Sequence, residues 1–460
     1  MLKPTIFREY DIRGVADAEL LDPDIELLGQ AFGTYLQRHS GPRIALGRDT
    51  RLSSPRLRNA LIRGLKASGR QVTDIGVVPT PVLYYAVIHL GAQGGVMITG
   101  SHNPSEFNGF KVVCGASTIH GDAIQEVRRM IDRGDLASGA GSETAADLVT
   151  PYVQEVAAQF DYPRRIKVVI DAGNGTGGPV MHRLLEELNV DATEMFFDMD
   201  GRFPNHHPDP TVPKNLDALV AKVRETGADL GIAFDGDTDR IGAVDDQGTI
   251  VYGDQLMIIF GREILTRKPG ATFIGEVKCS QLMYDDLAKR GGNPIMWKTG
   301  HSLIKAKMKE THAELAGEMS GHMFFADRYH GFDDALYAAC RLMEIVSKSG
   351  RPLSSQLADL PHTVTTPELR FDCPDELKFD VVSLAARDLS ARHKTVDVDG
   401  VRVIFDRGWG LVRASNTQPV LVMRFEATTP ELLREYQEEV EAAVASAQKK
   451  AGSAEPARRT

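Results

Sequence analysis

Cysteine is scarce in this chain: four residues in 460, Cys114, Cys279, Cys340 and Cys373, with no Cys-x-x-Cys pair among them. That scatter excludes a disulfide framework and a cysteine-built zinc site, and it predicts reduced thiols. Long apolar runs are missing too. Nothing approaches the roughly 18 residues that a membrane helix needs, and the N-terminus has no apolar signal-peptide core. The chain is therefore expected to be cytoplasmic, with no membrane partner. Excess positive charge is also absent. The net charge of −10 excludes a general nucleic-acid surface and leaves room only for a local basic pocket for phosphates. The composition is otherwise that of a globular protein, and its length predicts about three or four domains.

Acidic residues are abundant in one place. Asp235-Gly236-Asp237-Thr238-Asp239-Arg240 follows a strand-like run, Leu230–Phe234. Carboxylates at i, i+2 and i+4 diverge on a helix, but a turning or extended segment can aim all three the same way. Converging anionic oxygens repel one another unless a cation sits among them, and hard oxygen ligands suit Mg²⁺. A solvated acidic turn is the alternative. An EF-hand is excluded because the later Glu is missing and a strand, not a helix, precedes the loop.

A second loop has a different chemistry. Gly95–Thr99 reads as a buried strand running into Gly100-Ser101-His102-Asn103-Pro104, where Gly and Asn-Pro enforce a tight turn. A serine at such a strand end is exposed on stiff backbone, as a nucleophile or phosphate carrier must be. Locally, an ordinary turn serine fits as well. With Gly317-Glu-Met-Ser-Gly-His322 and Arg413-Ala-Ser-Asn-Thr417, these loops occur in an order that resembles the four signature loops of the α-D-phosphohexomutase superfamily. The variant forms are most similar to its bacterial phosphomannomutase/phosphoglucomutase branch. The resemblance covers Phe7-Arg-Glu-Tyr-Asp-Ile-Arg-Gly14 to about Ala445.

The intervening sequence repeats a strand–loop–helix theme, which argues for α/β layers with function on the loops after strands. Arg43–Gly47 and Gln71–Ile75 read as strands, with Ser54-Pro55 as the N-cap and first residue of a helix between them. Ile166–Asp171 opens a second unit and Thr272–Gly275 a third. Gly173–Gly178 lacks the Gly-x-Gly-x-x-Gly register, so it reads as a strand-to-helix packing turn and no nucleotide cofactor is expected. Ala137–Ser142 reads as a flexible approach to the first boundary. Beyond about residue 363 the pattern changes to that of an α+β domain.

The expected fold is three related mixed α/β domains plus a C-terminal α+β domain, heart-shaped around a central cleft. The expected divisions are 1–147 for the phosphoserine domain, 148–250 for the metal-binding domain, 251–362 for sugar recognition and 363–448 for phosphate binding. Residues 449–460 are expected to form a disordered tail.

The resemblance implies reversible phosphoryl transfer between O6 and O1 of mannose or glucose phosphates. Phosphorylated Ser101 would donate to the free hydroxyl, giving a hexose 1,6-bisphosphate that turns over and returns its other phosphate. Mg²⁺ held by Asp235, Asp237, Asp239 and a phosphoserine oxygen of Ser101 suits such chemistry, which is chiefly positioning and charge stabilisation. Arg240 either steers phosphate or braces the aspartates. Hexose phosphates are the expected partners, the bisphosphate serves as activator and intermediate, and the chain is expected as a monomer or dimer.

Turning the sugar over requires a stationary grip on the phosphate that is not reacting. Arg413, Ala414, Ser415, Asn416 and Thr417 supply a forked guanidinium, hydroxyls, an amide and backbone N–H groups. Glu318, Met319, Ser320, Gly321 and His322 form the sugar loop, whose contacts to O3 and O4 would serve both sugars. Candidates for proton transfer are Lys111, His322 and Arg13, with Arg13 better suited to charge stabilisation. By resemblance, Tyr10, Lys278 and His301 also line the pocket. A phosphoglucosamine mutase is the near alternative, opposed by Met319 and by the Ala414 and Asn416 variant of the last loop. A Ser-dependent sugar phosphatase is the alternative of another reaction class, and it has no need of a second phosphate loop.

Overall fold

A computed structural model describes residues 2–115, 117–416 and 418–453. Four sheets follow one another along the chain. In the first, Arg43–Arg48 lies parallel between Gly94–Ile98 and Gln71–Val77, and Phe107–Cys114 runs antiparallel beside Gly94–Ile98. The second repeats the arrangement, with Leu230–Phe234 parallel to Ile166–Asp171 and antiparallel to Ile241–Asp245. In the third, Leu315–Gly317 is parallel to Thr272–Glu276 and antiparallel to Met323–Phe325. The fourth sheet is antiparallel throughout, and Gly408–Ala414 pairs with Val420–Ala427 at its centre. These are the three mixed α/β units and the α+β unit that the sequence pattern implies.

The topology positions the function. In each of the first three sheets a fully buried strand parallel to its inner neighbour turns back as an antiparallel partner. The turn between the two carries one of the sequence motifs, at residues 99–106, 235–240 and 318–322. The fourth motif sits on the hairpin between Gly408–Ala414 and Val420–Ala427. One local geometry, used three times, and an antiparallel hairpin in the last unit thus present four loops.

One buried apolar cluster runs from the helix Thr80–His89 through the second sheet to the helix Ala335–Ser349, whose residues 335–347 are all buried. The last unit has its own core, built around Val401, Leu421, Phe425 and Val440. It is tied to the third by Arg402, which lies 3.7 Å over the Trp409 ring and donates to the carbonyls of Val277 and Cys279, each at 2.7 Å.

Three local expectations are corrected. The helix Ser54–Ala67 is preceded by Ser53, not Ser54, at the N-cap, because the Ser54 hydroxyl instead donates to Asp49 Oδ1 at 2.6 Å. Residues 137–142 are docked: Gly139 and Gly141 donate to the carbonyls of Ala67 and Lys66, and Ser142–Ala145 extends the first sheet in parallel. Residues 449–453 belong to the helix Pro430–Ser453, where Ala447 and Ala451 are buried, so that part of the expected tail is ordered. Residues 454–460 lie outside the described residues. Among the described residues, no helix is long and apolar enough to cross a membrane.

Candidate active site

Ser101 sits at a positive φ of 49°, a conformation that an L-residue holds only when its surroundings impose it. The imposing group is Arg51, fully buried, which donates to the carbonyls of Ser101 at 2.8 Å, Asn103 at 2.6 Å, Pro104 at 2.5 Å and Phe107 at 2.9 Å. Asp49 neutralises Arg51 at 3.1 Å and accepts from the Gly100 N–H at 3.0 Å. The serine loop is therefore stapled from beneath by a buried ion pair, which gives Ser101 a fixed aim.

That aim is toward the acidic loop. The Ser101 hydroxyl donates to Asp235 Oδ2 at 2.9 Å. Close approach depends on Gly236, where a Cβ would lie 2.6 Å from the Ser101 carbonyl oxygen. Asp235, Asp237 and Asp239 are completely buried, and each offers an oxygen within 4.8 Å of the others. Asp237 Oδ2 accepts from Thr80 Oγ1 at 2.5 Å and Lys111 Nζ at 2.8 Å, while Lys111 also donates to Asp239 Oδ2.

Lys111 and Arg240 together do not balance three buried carboxylates. Burial, reinforced by Asp239 and Asp237, pushes the Asp235 carboxyl well above the ordinary range. Burial also opposes ionisation of Asp237, but Lys111 overrides it and holds that pKa low. Asp237 Oδ1 and Asp239 Oδ1 are buried acceptors without a hydrogen-bond partner. Orphaned anionic oxygens around a proton-retaining carboxyl are what a divalent-cation site presents when read without its ion, so the donor set fits a hard divalent metal.

The sugar-loop residues dock on the acidic loop. Arg240 and His322 form a β-bridge, and Arg240 Nε donates to His322 Nε2 at 3.0 Å. Accepting at Nε2 leaves His322 Nδ1 as the N–H, and Asp333 Oδ2 lies 3.1 Å from it. Asp333 is paired in turn with Lys305 at 2.9 Å. His301 stacks on His322 with centroids 5.6 Å apart, and Tyr10 meets His301 edge-on at 5.9 Å. Burial, with Lys305 second, drives the His301 pKa well below the ordinary histidine range; burial and Arg240 do the same to His102. Both rings are therefore neutral near pH 7.

Glu318 Oε1 accepts from the Gly300 N–H at 2.6 Å, and its Oε2 accepts from Ser320 Oγ at 3.1 Å. Met319 N donates to Glu276 Oε1 at 3.2 Å, and Gly321 packs against Ile241 at φ 91°. Lys278 Nζ reaches Glu368 at 3.0 Å. From the last unit, Arg413 Nε donates to Asp399 Oδ2 at 2.9 Å, and Asn416 Nδ2 donates to the Tyr10 hydroxyl at 2.7 Å. Ala414 and Ser415 are buried beside them. Arg13 is paired with Asp11 and keeps a buried Nε without a partner. Thr417 lies outside the described residues.

Sequence reasoning missed the supporting residues Asp49, Arg51, Thr80, Glu276, Asp333 and Asp399. A signal existed for two of them, since Asp49-Thr50-Arg51 places two charges directly after an apolar strand. Asp334 accepts from Tyr337 N at the N-cap of the helix Ala335–Ser349.

Comparison with known proteins agrees with this arrangement. Four family models match in order: Phosphoglucomutase/phosphomannomutase alpha/beta/alpha domain I at residues 4–138, domain II at 150–248, domain III at 252–364, and the C-terminal domain at 368–443. A Phosphomannomutase/phosphoglucomutase of Pseudomonas aeruginosa is 47% identical over 433 residues, covering 94% of each chain. A Phosphoglucomutase of Neisseria meningitidis is 44% identical over 446 residues, covering 96% of this chain and 97% of that one. The crystal structure of a Phosphoglucomutase/phosphomannomutase family protein from Burkholderia thailandensis superimposes with a TM-score of 0.92 at 42% identity, over 97% of this chain and 98% of that one.

Proposed function

The chain belongs to the phosphoglucomutase/phosphomannomutase family, and from that membership we infer an isomerase that moves a phosphoryl group reversibly between O6 and O1 of mannose and glucose phosphates. The relatives' names do not favour the phosphoglucosamine or phosphatase alternatives. The observation that carries the reading is the Ser101 hydroxyl held 2.9 Å from Asp235 within a ring of three buried aspartates.

We assign Ser101 as the phosphoryl carrier. Asp235, Asp237 and Asp239 would hold Mg²⁺ with an oxygen of the phosphorylated serine. That ion supplies neutralisation of charge on the transferring group. The attacking sugar hydroxyl forms a bond to phosphorus as the bond between phosphorus and Ser101 Oγ breaks, and its proton must go to a nearby base. Lys111 is a poor acceptor, because Asp237 and Asp239 outweigh burial and raise its pKa. His322 is the other candidate: its Nε2 lone pair accepts from Arg240 Nε and can take the proton once that contact opens, while Lys111 and Arg13 supply positive charge. Return of the other phosphate to Ser101 completes the cycle through a hexose 1,6-bisphosphate.

Glu318 and Ser320 would take sugar hydroxyls, with Met319 and Gly321 shaping their loop. Arg413, Ser415, Asn416 and the backbone at Ala414 would grip the idle phosphate, together with Thr417. Tyr10, Lys278 and His301 line the path between, and Arg240 braces the metal loop against His322. On this assignment residues 1–147 carry the phosphoryl group, 148–250 hold the metal, 251–362 read the sugar and 363–448 anchor phosphate.

The test is product analysis with glucose 1-phosphate and mannose 1-phosphate, Mg²⁺ and a trace of the matching 1,6-bisphosphate. Formation of the 6-phosphates without free phosphate is expected, with phosphate on Ser101 by peptide mass. Stoichiometric release of inorganic phosphate would overturn the reading.

A further inference from the structure

A second cavity, of about 480 Å³, lies between the first and third units. That volume is in the range of small-molecule sites. None of its lining residues belongs to the assigned catalytic or binding set. Its walls come from the helices Thr80–His89 and His301–Thr311 and from the turn before the helix Ala335–Ser349. The two helices are held in place by Lys305, whose Nζ lies 4.3 Å over the Tyr84 ring and 2.9 Å from Asp333, and by the Thr118–Ser302 hydroxyl contact at 2.7 Å. These polar braces keep the cavity from collapsing.

Its lining is mixed: an apolar wall stands beside Lys305 and the hydroxyls of Ser117 and Thr118, with Lys309, His312 and Glu314 also around it. Val113, Met308 and Phe332 are buried in its wall, while Ile88 is 51% exposed at its edge. The apolar part of the wall holds water poorly and favours the apolar body of an amphiphilic occupant. The charged and titratable groups around it are unevenly matched. Glu314 is paired with Lys268 at 2.8 Å, His330 with Glu155 at 2.8 Å and Lys305 with Asp333. Lys309 and His312 have no ion pair among the described residues. The unspent charge is therefore a cation, beside the apolar wall.

We propose that this cavity binds a small monoanion with an apolar body, such as an aromatic carboxylate or sulfonate, independently of the sugar-phosphate cleft. The apolar body fills the space against Met308 and Phe332, and the anionic group meets Lys309 and the His312 ring at the edge. The helix His301–Thr311 joins this cavity to the cleft, since His301 at its first turn stacks on His322.

The probe is 8-anilinonaphthalene-1-sulfonate, titrated by fluorescence into the full-length protein. One saturable site is expected, undisturbed by saturating glucose 1-phosphate with Mg²⁺. Lys309→Glu and Ile88→Glu, both on the surface, should each weaken binding by about fivefold or more while retaining mutase turnover, which also reports that they fold. Arg434→Glu, on the last helix, should leave binding unchanged. Absence of saturable binding, displacement by glucose 1-phosphate, or wild-type affinity in both cavity variants overturns the proposal.

Discussion

The Tyr10 hydroxyl accepts a hydrogen bond from Asn416 Nδ2 at 2.7 Å, joining residues 406 positions apart across the mouth of the cleft. The same hydroxyl donates to the Thr299 carbonyl at 2.9 Å, so one phenol links the first, third and last units. Gly300 makes room for it, because a Cβ there would lie 2.5 Å from the Tyr10 ring. The hairpin between Gly408–Ala414 and Val420–Ala427 is thus registered against the serine-bearing unit by side chains rather than by covalent proximity.

Tyr10→Phe removes both bonds and keeps the ring against His301. Neutral hydrogen bonds contribute about 1 kcal/mol each, so KM for glucose 1-phosphate should rise about fivefold to thirtyfold, with kcat less affected. Steady-state kinetics of the variant check this, and an unchanged KM refutes the linking role.

Asp237→Asn removes a charge that Lys111 and Thr80 both address. Charged hydrogen bonds contribute about 1.5–3 kcal/mol, so Mg²⁺ affinity should fall about tenfold or more. Calorimetric titration of Mg²⁺ into metal-stripped protein reads the change directly. Activity of the wild type that survives EDTA unaltered contradicts the metal assignment.

How much of this was legible beforehand depends on the range of the interaction. The acidic loop and the serine loop could be read because their chemistry is local: residues a few positions apart on one turn. Arg51 could not be assigned its task, since its four carbonyl acceptors lie about 50 residues downstream and become neighbours only when Arg43–Arg48 pairs with Gly94–Ile98. Asp333 is a similar case. Its position before an apolar helix signals capping, yet Asp334 caps and Asp333 turns to Lys305 and His322. The three-unit repeat was legible, but the antiparallel return that carries each loop was not, because the units share topology without sharing loop sequence.

Asp333→Asn should therefore affect two observables. It leaves Lys305 buried without its anion, a change that costs about 3–5 kcal/mol when a buried pair loses one partner. It also removes the negative charge that lies 3.1 Å from His322 Nδ1, so kcat should fall while KM for the sugar phosphate changes little. Thermal unfolding and steady-state kinetics together check this; a lowered Tm with unaltered kcat assigns Asp333 to stability alone.

Acid should loosen the last unit through Glu368. Lys278, set against burial, holds its carboxyl at about 2, below its ordinary value of 4.5. A depressed folded-state pKa gives stability that is present above the unfolded value and lost as pH falls through the folded one. The loss should run from about pH 4.5 down to about pH 2 and reach about 2–3 kcal/mol. Denaturant midpoints across that window should fall in the wild type, and Glu368→Gln should flatten that part of the dependence.

Arg413 separates a mutase from a hydrolase. Its Nε is already committed to Asp399 at 2.9 Å, which orients the guanidinium and leaves its terminal nitrogens for a phosphate. A group that holds the idle phosphate must serve both sugar orientations, so Arg413→Ala should weaken 1-phosphate and 6-phosphate sugars alike. A charged hydrogen bond of about 1.5–3 kcal/mol corresponds to roughly one to two decades in affinity. Loss of that grip should also let the bisphosphate escape before it turns over, making the variant depend more steeply on added 1,6-bisphosphate. Kinetics with each isomer, with and without bisphosphate, measure both effects beside a free-phosphate assay. An effect confined to one isomer would place Arg413 at a single substrate orientation and remove the stationary anchor on which reorientation depends.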